Sequence, residues 1–160
     1  MTRPRFLPAL GAGALAGLLA LGAGAAHAHG DVTPQAVDTK ELAPLGKEWR
    51  DHNPYRGNDA AVRVGTSAYN QNCARCHGLE AISGGIAPDL RKLDNDCATG
   101  KDAARKEACV KDNDGYFMTT VRRGRSRNGA VYMPPFEDAM NQEAIWAIKT
   151  YLETRREKPL

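Results

Sequence analysis

Cys73-Ala74-Arg75-Cys76-His77 decides how this chain is read. Cys-x-x-Cys-His is the local pattern by which a c-type haem is attached to a chain. Two thiols three residues apart on one helical turn can each form a thioether to a porphyrin vinyl group, and the next side chain brings an imidazole to the iron. Imidazole is a good ligand for iron, and its other ring nitrogen usually donates to a carbonyl that fixes tautomer and orientation. Cys73 and Cys76 are therefore the candidate attachment residues for a single covalent haem, and His77 the candidate proximal ligand.

Two other chemistries compete for these residues. Cys73, Cys76, Cys97 and Cys109 could offer four thiolates to zinc, but such sites bring their second pair close together, whereas eleven residues separate Cys97 from Cys109. His77 would also be unexplained. A thioredoxin-like redox pair needs a βαβ pattern, and none surrounds the motif.

Toward the N-terminus, residues 1–28 begin with Arg3 and Arg5, continue as an apolar run and end in Ala26-His27-Ala28, an A-x-A-type cleavage site. This reads as a signal peptide. The competing reading is an uncleaved anchor, since Phe6 to Ala26 is about long enough to span a bilayer, but its five glycines and the Ala-His-Ala ending favour cleavage. No other segment approaches a membrane span, so the expectation is an exported chain starting at His29, with no anchor after cleavage and a periplasmic location. That compartment permits both covalent haem attachment and disulfides. Without Arg3 and Arg5, 20 basic residues face 19 acidic ones. A balance this even announces neither nucleic acid nor a charged membrane surface, so electrostatic docking must come from a local patch.

Residues 29–57 contain Pro34, Pro44 and Pro54 and no sustained period, which predicts an extended arm, with Trp49 and Tyr55 as anchors and Leu42 and Leu45 as lesser contacts. A helix is expected over 59–73, capped by Asn58 or Asp59, with Val62, Gly65, Tyr69 and Cys73 on one face. A second, over 141–156, is capped by Asn141 and carries the stripe Ile145, Ile148, Tyr151, Leu152. Glycine costs a helix roughly 1 kcal/mol against alanine, and close approach of another helix explains it at residue 65. The two terminal helices are expected to cross there, with Tyr151 over Gly65.

Between them, residues 94–114 form a charged insert with little apolar content, bracketed by Cys97 and Cys109. In an oxidising compartment the two cysteines left after haem attachment are expected to pair, the alternatives being free thiols or an intermolecular bond. A short helix over 115–123 follows, with Asp114 as cap, Phe117, Met118 and Val121 inward, and Gly124 at its end. Met118, Met133 and Met140 are the candidates for a second iron ligand. A thioether is a weak ligand that needs a fixed backbone, and Met133 precedes Pro134-Pro135 on a loop, so Met133 is the choice. Iron held by His77 and Met133 has no vacant position, and such ligation raises the potential, which points to an electron-transfer protein and not an enzyme. A haem-based ligand sensor, or a cytochrome subunit of another periplasmic oxidoreductase, remains the alternative.

The helix ending Gly65-x3-Tyr69-x3-Cys73, the Cys73-Ala74-Arg75-Cys76-His77-Gly78 site, Pro88-Asp89-Leu90, Tyr132-Met133-Pro134-Pro135-Phe136 and the final helix together resemble a class I cytochrome c over 58–157. More narrowly, His29 to Asp38, Asn53 to Asn58 and Tyr69 to Gly85 resemble the periplasmic cytochromes c that accept electrons from quinoprotein ethanol dehydrogenases. The resemblance implies an all-α fold around one haem with an exposed edge, here with an N-terminal arm and a disulfide-closed insert. It places the acceptor for the His77 ring proton on the Pro88 carbonyl, packs Leu90 on the haem, and agrees on Met133. It also implies a PQQ-dependent alcohol dehydrogenase as donor and a further cytochrome or terminal oxidase as acceptor. Arg122, Arg123, Arg125 and Arg127 lie just before the ligand loop. Those not spent on the helix dipole or on local carboxylates are expected to meet acidic groups on the donor.

Overall fold

Two asparagine caps set the ends of the main scaffold. The Asn58 side chain accepts from the Ala61 amide at 3.0 Å and opens helix α1 (Asp59–Asn72); Asn141 accepts from the Ala144 amide at 2.9 Å. The computed structural model describes residues 33–160. The expected signal peptide over 1–28 lies outside the described residues, as do the first residues of the arm. After α1 come a single turn α2 (Ala74–His77), 3-10 turns at Leu79–Ala81, Leu90–Lys92 and Cys97–Thr99, and helix α3 (Ala103–Arg123). A hairpin of β1 (Arg125–Arg127) and β2 (Ala130–Met133) and helix α4 (Gln142–Thr154) complete the order. The fold is mostly helical, and the hairpin is its only sheet among the described residues. None of the described helices is long and apolar enough to cross a membrane.

Helix α1 packs on α4 through Ala61, Val64, Gly65, Ala68 and Tyr69. A Cβ on Gly65 would overlap the Ala147 carbonyl and stand 3.0 Å from Tyr151 Cβ, so the crossing expected at this glycine is present. The inward stripe differs at its two ends: Val62 and Cys73 are only half-buried, while Ala61 and Ala68, outside the expected stripe, are fully buried. One turn beyond the crossing, the Tyr69 and Tyr151 rings meet at 5.2 Å.

Every residue of α4 from Gln142 to Leu152 is buried, which an amphipathic helix manages only if its polar side is also covered. Residues 33–58 supply that cover without a helix or strand of their own. Their amides and carbonyls, unpaired by regular structure, are met by α4 side chains. Glu143 Oε1 accepts from the Leu45 amide at 2.7 Å, Gln142 Oε1 from that of Arg50 at 3.1 Å, and Gln142 Nε2 donates to the Gly46 and Glu48 carbonyls. Tyr55 and Leu42 are buried. Trp49 stays 36 % exposed, with the Arg122 guanidinium 4.0 Å from its ring centroid, so it stacks on a cation instead of entering the core.

The insert differs most from its sequence reading. Helix α3 starts at Ala103, capped by Asp102, whose Oδ1 accepts from the Arg105 amide at 2.9 Å. Asp114 is therefore not a cap but a fully buried carboxylate in mid-helix. The charged stretch 103–113 is helical because it has one inward anchor, Val110, and because the Cys97–Cys109 disulfide ties it to the preceding turn. Closing that short loop is worth about 2–4 kcal/mol.

Asp114 belongs to a buried ionic cluster. Lys149 Nζ, with no exposed surface, lies 3.0 Å from Asp94, 3.4 Å from Asp114 and 3.2 Å from Glu153. Arg56 reaches Asp114 and Glu153, and Arg156 reaches Asp94. Burial pushes the Asp94 carboxyl up, but Lys149 and Arg156 together hold it below its ordinary value, so it stays charged at neutral pH. Since the α1–α4 crossing depends on a missing side chain, Gly65→Ala should destabilise the fold by about 1–3 kcal/mol, read as a lower midpoint in denaturant. An unchanged midpoint would show that the crossing tolerates a methyl group.

Candidate functional site

Helix α1 ends by handing the chain to the motif. Cys73 closes it, its amide donating to the Tyr69 carbonyl at 2.8 Å, and α2 carries Cys76 and His77 round one further turn. Gly78 then turns sharply at φ +83°, where a Cβ would overlap the Ile82 carbonyl. Its own carbonyl accepts from the Tyr69 hydroxyl at 2.8 Å, so a buried side chain one turn past the helix crossing holds the backbone next to His77. Glu80 and Ala81 follow at φ +56° and +64°, a conformation that costs non-glycine residues of order 1–3 kcal/mol each and that the Glu80–Arg155 ion pair at 2.6 Å helps to hold.

His77 Nδ1 lies 2.9 Å from the Pro88 carbonyl. A carbonyl only accepts, so Nδ1 carries the proton and Nε2 keeps its lone pair for a metal. Burial lowers the imidazole's proton affinity against the opposing effect of that hydrogen bond, which keeps the ring neutral at pH 7. Leu90 opens the 3-10 turn after Pro88, half-buried.

Met133 ends β2 and is also half-buried. Its carbonyl is where a Cβ on Gly124 would fall, so the end of α3 and the methionine's backbone are in contact through a glycine at φ +66°. Beyond Pro134-Pro135 the chain is fastened again, the Phe136 amide donating to the Val121 carbonyl at 3.1 Å. Met118 and Met140 are committed to the core. Cys73, Leu90, Leu93 and Met133 all pack, partly buried, against one and the same core cluster.

The donor set fits a covalent c-type haem. Two unbonded thiols, at residues 73 and 76, sit beside an imidazole with one free nitrogen, and Leu79, Ile82 and Ile86 leave large apolar side chains exposed just beyond it. Burial, with Cys76 alongside, pushes the Cys73 thiol up to about 12. A four-thiolate zinc site is excluded because Cys97 and Cys109 are bonded to each other. When bound, the haem supplies a one-electron iron couple; the chain supplies thiols, an oriented imidazole and a thioether on anchored backbone.

The four arginines are placed less uniformly than their spacing suggested. Arg122 is spent on Glu137 at 2.9 Å and on the Trp49 ring, and Arg125 donates to Thr120 Oγ1 at 2.7 Å and lies over Tyr116. Arg123 and Arg127 are exposed, with no ion-pair partner among the described residues. Arg123 ends α3 and Arg127 ends β1, so a hairpin not expected from the sequence separates the charged helix end from the methionine. Its turn is Asn128-Gly129, both at positive φ, and Asn-Gly is the strongest short-range hairpin signal a sequence offers. Arg125 pairs with Met133 across the ribbon, with a register irregularity before Ser126. No local pattern in the sequence announces the Tyr69–Gly78 bond or the Gly124 contact.

A family model described as cytochrome c oxidase, cbb3-type, subunit III, matches residues 60–152. The chain is 59% identical over 133 residues to cytochrome c550 of Pseudomonas aeruginosa, covering 81% of this chain and 82% of that protein. It is also 33% identical over 103 residues to quinohemoprotein alcohol dehydrogenase ADH-IIG of Pseudomonas putida, and 33% over 94 residues to quinohemoprotein alcohol dehydrogenase ADH IIB of that organism. These matches take up only 12% and 11% of the two dehydrogenases. No solved structure matches the chain. With two cysteines bonded to each other and two used in attachment, the haem-loaded protein denatured without reductant should show no titratable thiol. Two thiols per chain would mean that one of the pairs is open.

Proposed function

Because the chain belongs to the cytochrome c family, whose members transfer electrons on one covalently attached c-type haem, we propose that it is the periplasmic electron acceptor of a PQQ-dependent alcohol dehydrogenase. On this reading residues 1–28 are a signal peptide, 29–57 an arm and 58–157 the cytochrome domain. Cys73 and Cys76 hold the haem, His77 and Met133 ligate the iron, Pro88 orients His77, and Leu90 packs on the porphyrin. The electron passes on to a further cytochrome or a terminal oxidase.

The observation that carries the ligation is the His77–Pro88 hydrogen bond, which leaves one ring nitrogen for the metal. Support for Met133 is its half-buried place on backbone fastened on both sides, by Gly124 and by Phe136, while the other two candidate methionines fill the core. Support for the donor is the likeness to segments of two quinohemoprotein alcohol dehydrogenases, which contain within their own chains a stretch similar to this protein. An electron that one enzyme passes within a single chain can in another be handed to a separate carrier of the same kind.

Docking is proposed at the hairpin. Arg123, at the end of α3, and Arg127, on β1, are the cations beside it with no ion-pair partner among the described residues, while Arg122 and Arg125 are engaged in local contacts. Exposed charges act mainly on association and are screened over about 8 Å at physiological salt. Weak, fast encounters suit a carrier that must also leave.

Two experiments test this reading. Met133→Ala should keep the haem, which its thioethers hold, while losing the methionine-to-iron absorption band and lowering the potential; survival of the band in that variant, with its loss in Met118→Ala, would reassign the ligand. Arg123→Glu/Arg127→Glu should slow reduction by a PQQ-dependent ethanol dehydrogenase several-fold at low salt, with spectrum and potential unchanged. A rate equal to the parent's at low ionic strength would move docking to another surface.

A further inference from the structure

We propose that Lys149, acting through Asp94, is a positioning residue for the His77 ring, clamping the strap of residues 88–100 whose Pro88 carbonyl accepts the hydrogen bond from the ring N–H. The inference rests on His77 being an iron ligand, as read above.

The strap is rigid by its own hydrogen bonds. From Asp89 onward the turns overlap: the Lys92 amide donates to Asp89, Leu93 to Leu90, Asn95 to Lys92, Cys97 to Asp94 and Gly100 to Cys97. Asp89 caps the first of them, accepting from the Arg91 amide at 3.1 Å. A displacement at Asp94 is therefore carried back along the chain to Pro88 with little to absorb it. Asp94 is the point at which this run meets the rest of the molecule. Its carboxylate takes both Lys149 contacts, at 3.0 and 3.3 Å, the Arg156 Nε donor at 2.8 Å and Asn113 Nδ2 at 3.3 Å. Asn113 also donates to the Leu93 carbonyl and contacts the Cys97 sulfur, so the disulfide and the lysine clamp the same segment.

Stability alone is a weak reason to bury these charges. A buried ion pair is often neutral or worse for stability when compared with apolar residues of similar volume. What it does supply is direction: the carboxylate has one position that satisfies all its donors. Lys149 stands on α4, the element that α1 crosses, so the frame that places the start of the motif also places the acceptor for His77.

The hydrogen bond from Nδ1–H raises the basicity of the ligating imidazole. Loosening the strap should weaken it, disfavour Fe(III) relative to Fe(II), and raise the potential. The test is the haem-loaded double variant Asp94→Asn/Lys149→Met, which removes one charge of each sign and leaves Asp114 and Glu153 facing Arg56 and Arg156. Two quantities are measured: the reduction potential, and the hydrogen exchange of the His77 ring N–H by NMR in the reduced protein. The expected result is an upward shift equivalent to a two- to tenfold change in the oxidised-to-reduced ratio, tenfold being 59 mV for one electron, with ring N–H exchange at least tenfold faster. Asn53→Ala is the control. It removes an uncharged side chain that contacts Thr150, Glu153 and the Tyr55 amide on the arm side of the cluster and makes no contact with Asp94, and should lower stability without moving either quantity.

If the double variant matches the parent in both, or if Asn53→Ala moves them as far, the cluster is structural only and the proposal falls. Should the double variant not hold its fold, Asp94→Asn alone carries the exchange measurement, with the same result expected and unchanged exchange overturning the clamp. A parent protein whose His77 resonances show no coordination to iron would overturn the ligand reading and this inference with it. Normal coordination with an unresponsive ring proton overturns this inference alone.

Discussion

Helix α1 can lie on the Ala147 carbonyl of α4 only because residue 65 has no side chain. That contact sets the height and rotation of α1, and hence the position of everything α1 delivers at its C-terminal end. Tyr69, one turn on, uses its ring against Tyr151 and its hydroxyl on the Gly78 carbonyl. The motif residues 73–77 are thus held from below by helix packing and from beyond by one hydrogen bond. A haem attached to them would inherit that placement.

The second half of the constraint is on the other side of α4. A helix buried from Gln142 to Leu152 must satisfy polar side chains without water, and it does so by binding the backbone of the arm and by gathering three carboxylates around Lys149. Such a cluster is costly to assemble and costly to break, since removal of one member leaves another charge buried without a partner. Its consequence is geometric. Arm, insert, α3 and α4 are all fastened to one point, and the strap that ends on the His77 hydrogen bond starts from it. For one-electron transfer a ligand shell that barely moves between oxidation states is an advantage, and this framework offers little freedom to move.

Features decided by local chemistry were legible in the sequence. Asn141 as a cap, Asn58 as one of two candidate caps beside Asp59, and Gly65 as a contact point follow from what a residue type does at that spacing, and the pairing of Cys97 with Cys109 from two thiols left over in an oxidising compartment. The start of α3 was not legible, because its first turns are charged and depend on the disulfide and on Val110 for their place. Lys149 was hidden by its own residue type: its helix offers Glu153 one turn on, but nothing in a helical stripe says that the lysine will also find Asp94 and Asp114 from two distant parts of the chain. The hairpin was a different kind of omission, since Asn128-Gly129 carried the signal and the neighbouring arginines, read only as charge, concealed it. Of the candidate site, Cys73, Cys76 and His77 stand in the motif itself. Pro88 came only from family resemblance, since a backbone carbonyl leaves no mark in a sequence.

Iron closed by His77 and Met133, as proposed, would have no position for a substrate or ligand, as suits a carrier and not a catalyst or sensor. The most direct measurement is the absorption spectrum of the purified, haem-loaded parent protein, oxidised and reduced, before and after addition of carbon monoxide. Closed ligation should give a covalent c-type haem, a methionine-to-iron band in the oxidised form, and a reduced spectrum that carbon monoxide leaves unchanged on mixing. A missing band together with immediate carbon monoxide binding would contradict it, because an open iron position is what closed ligation forbids.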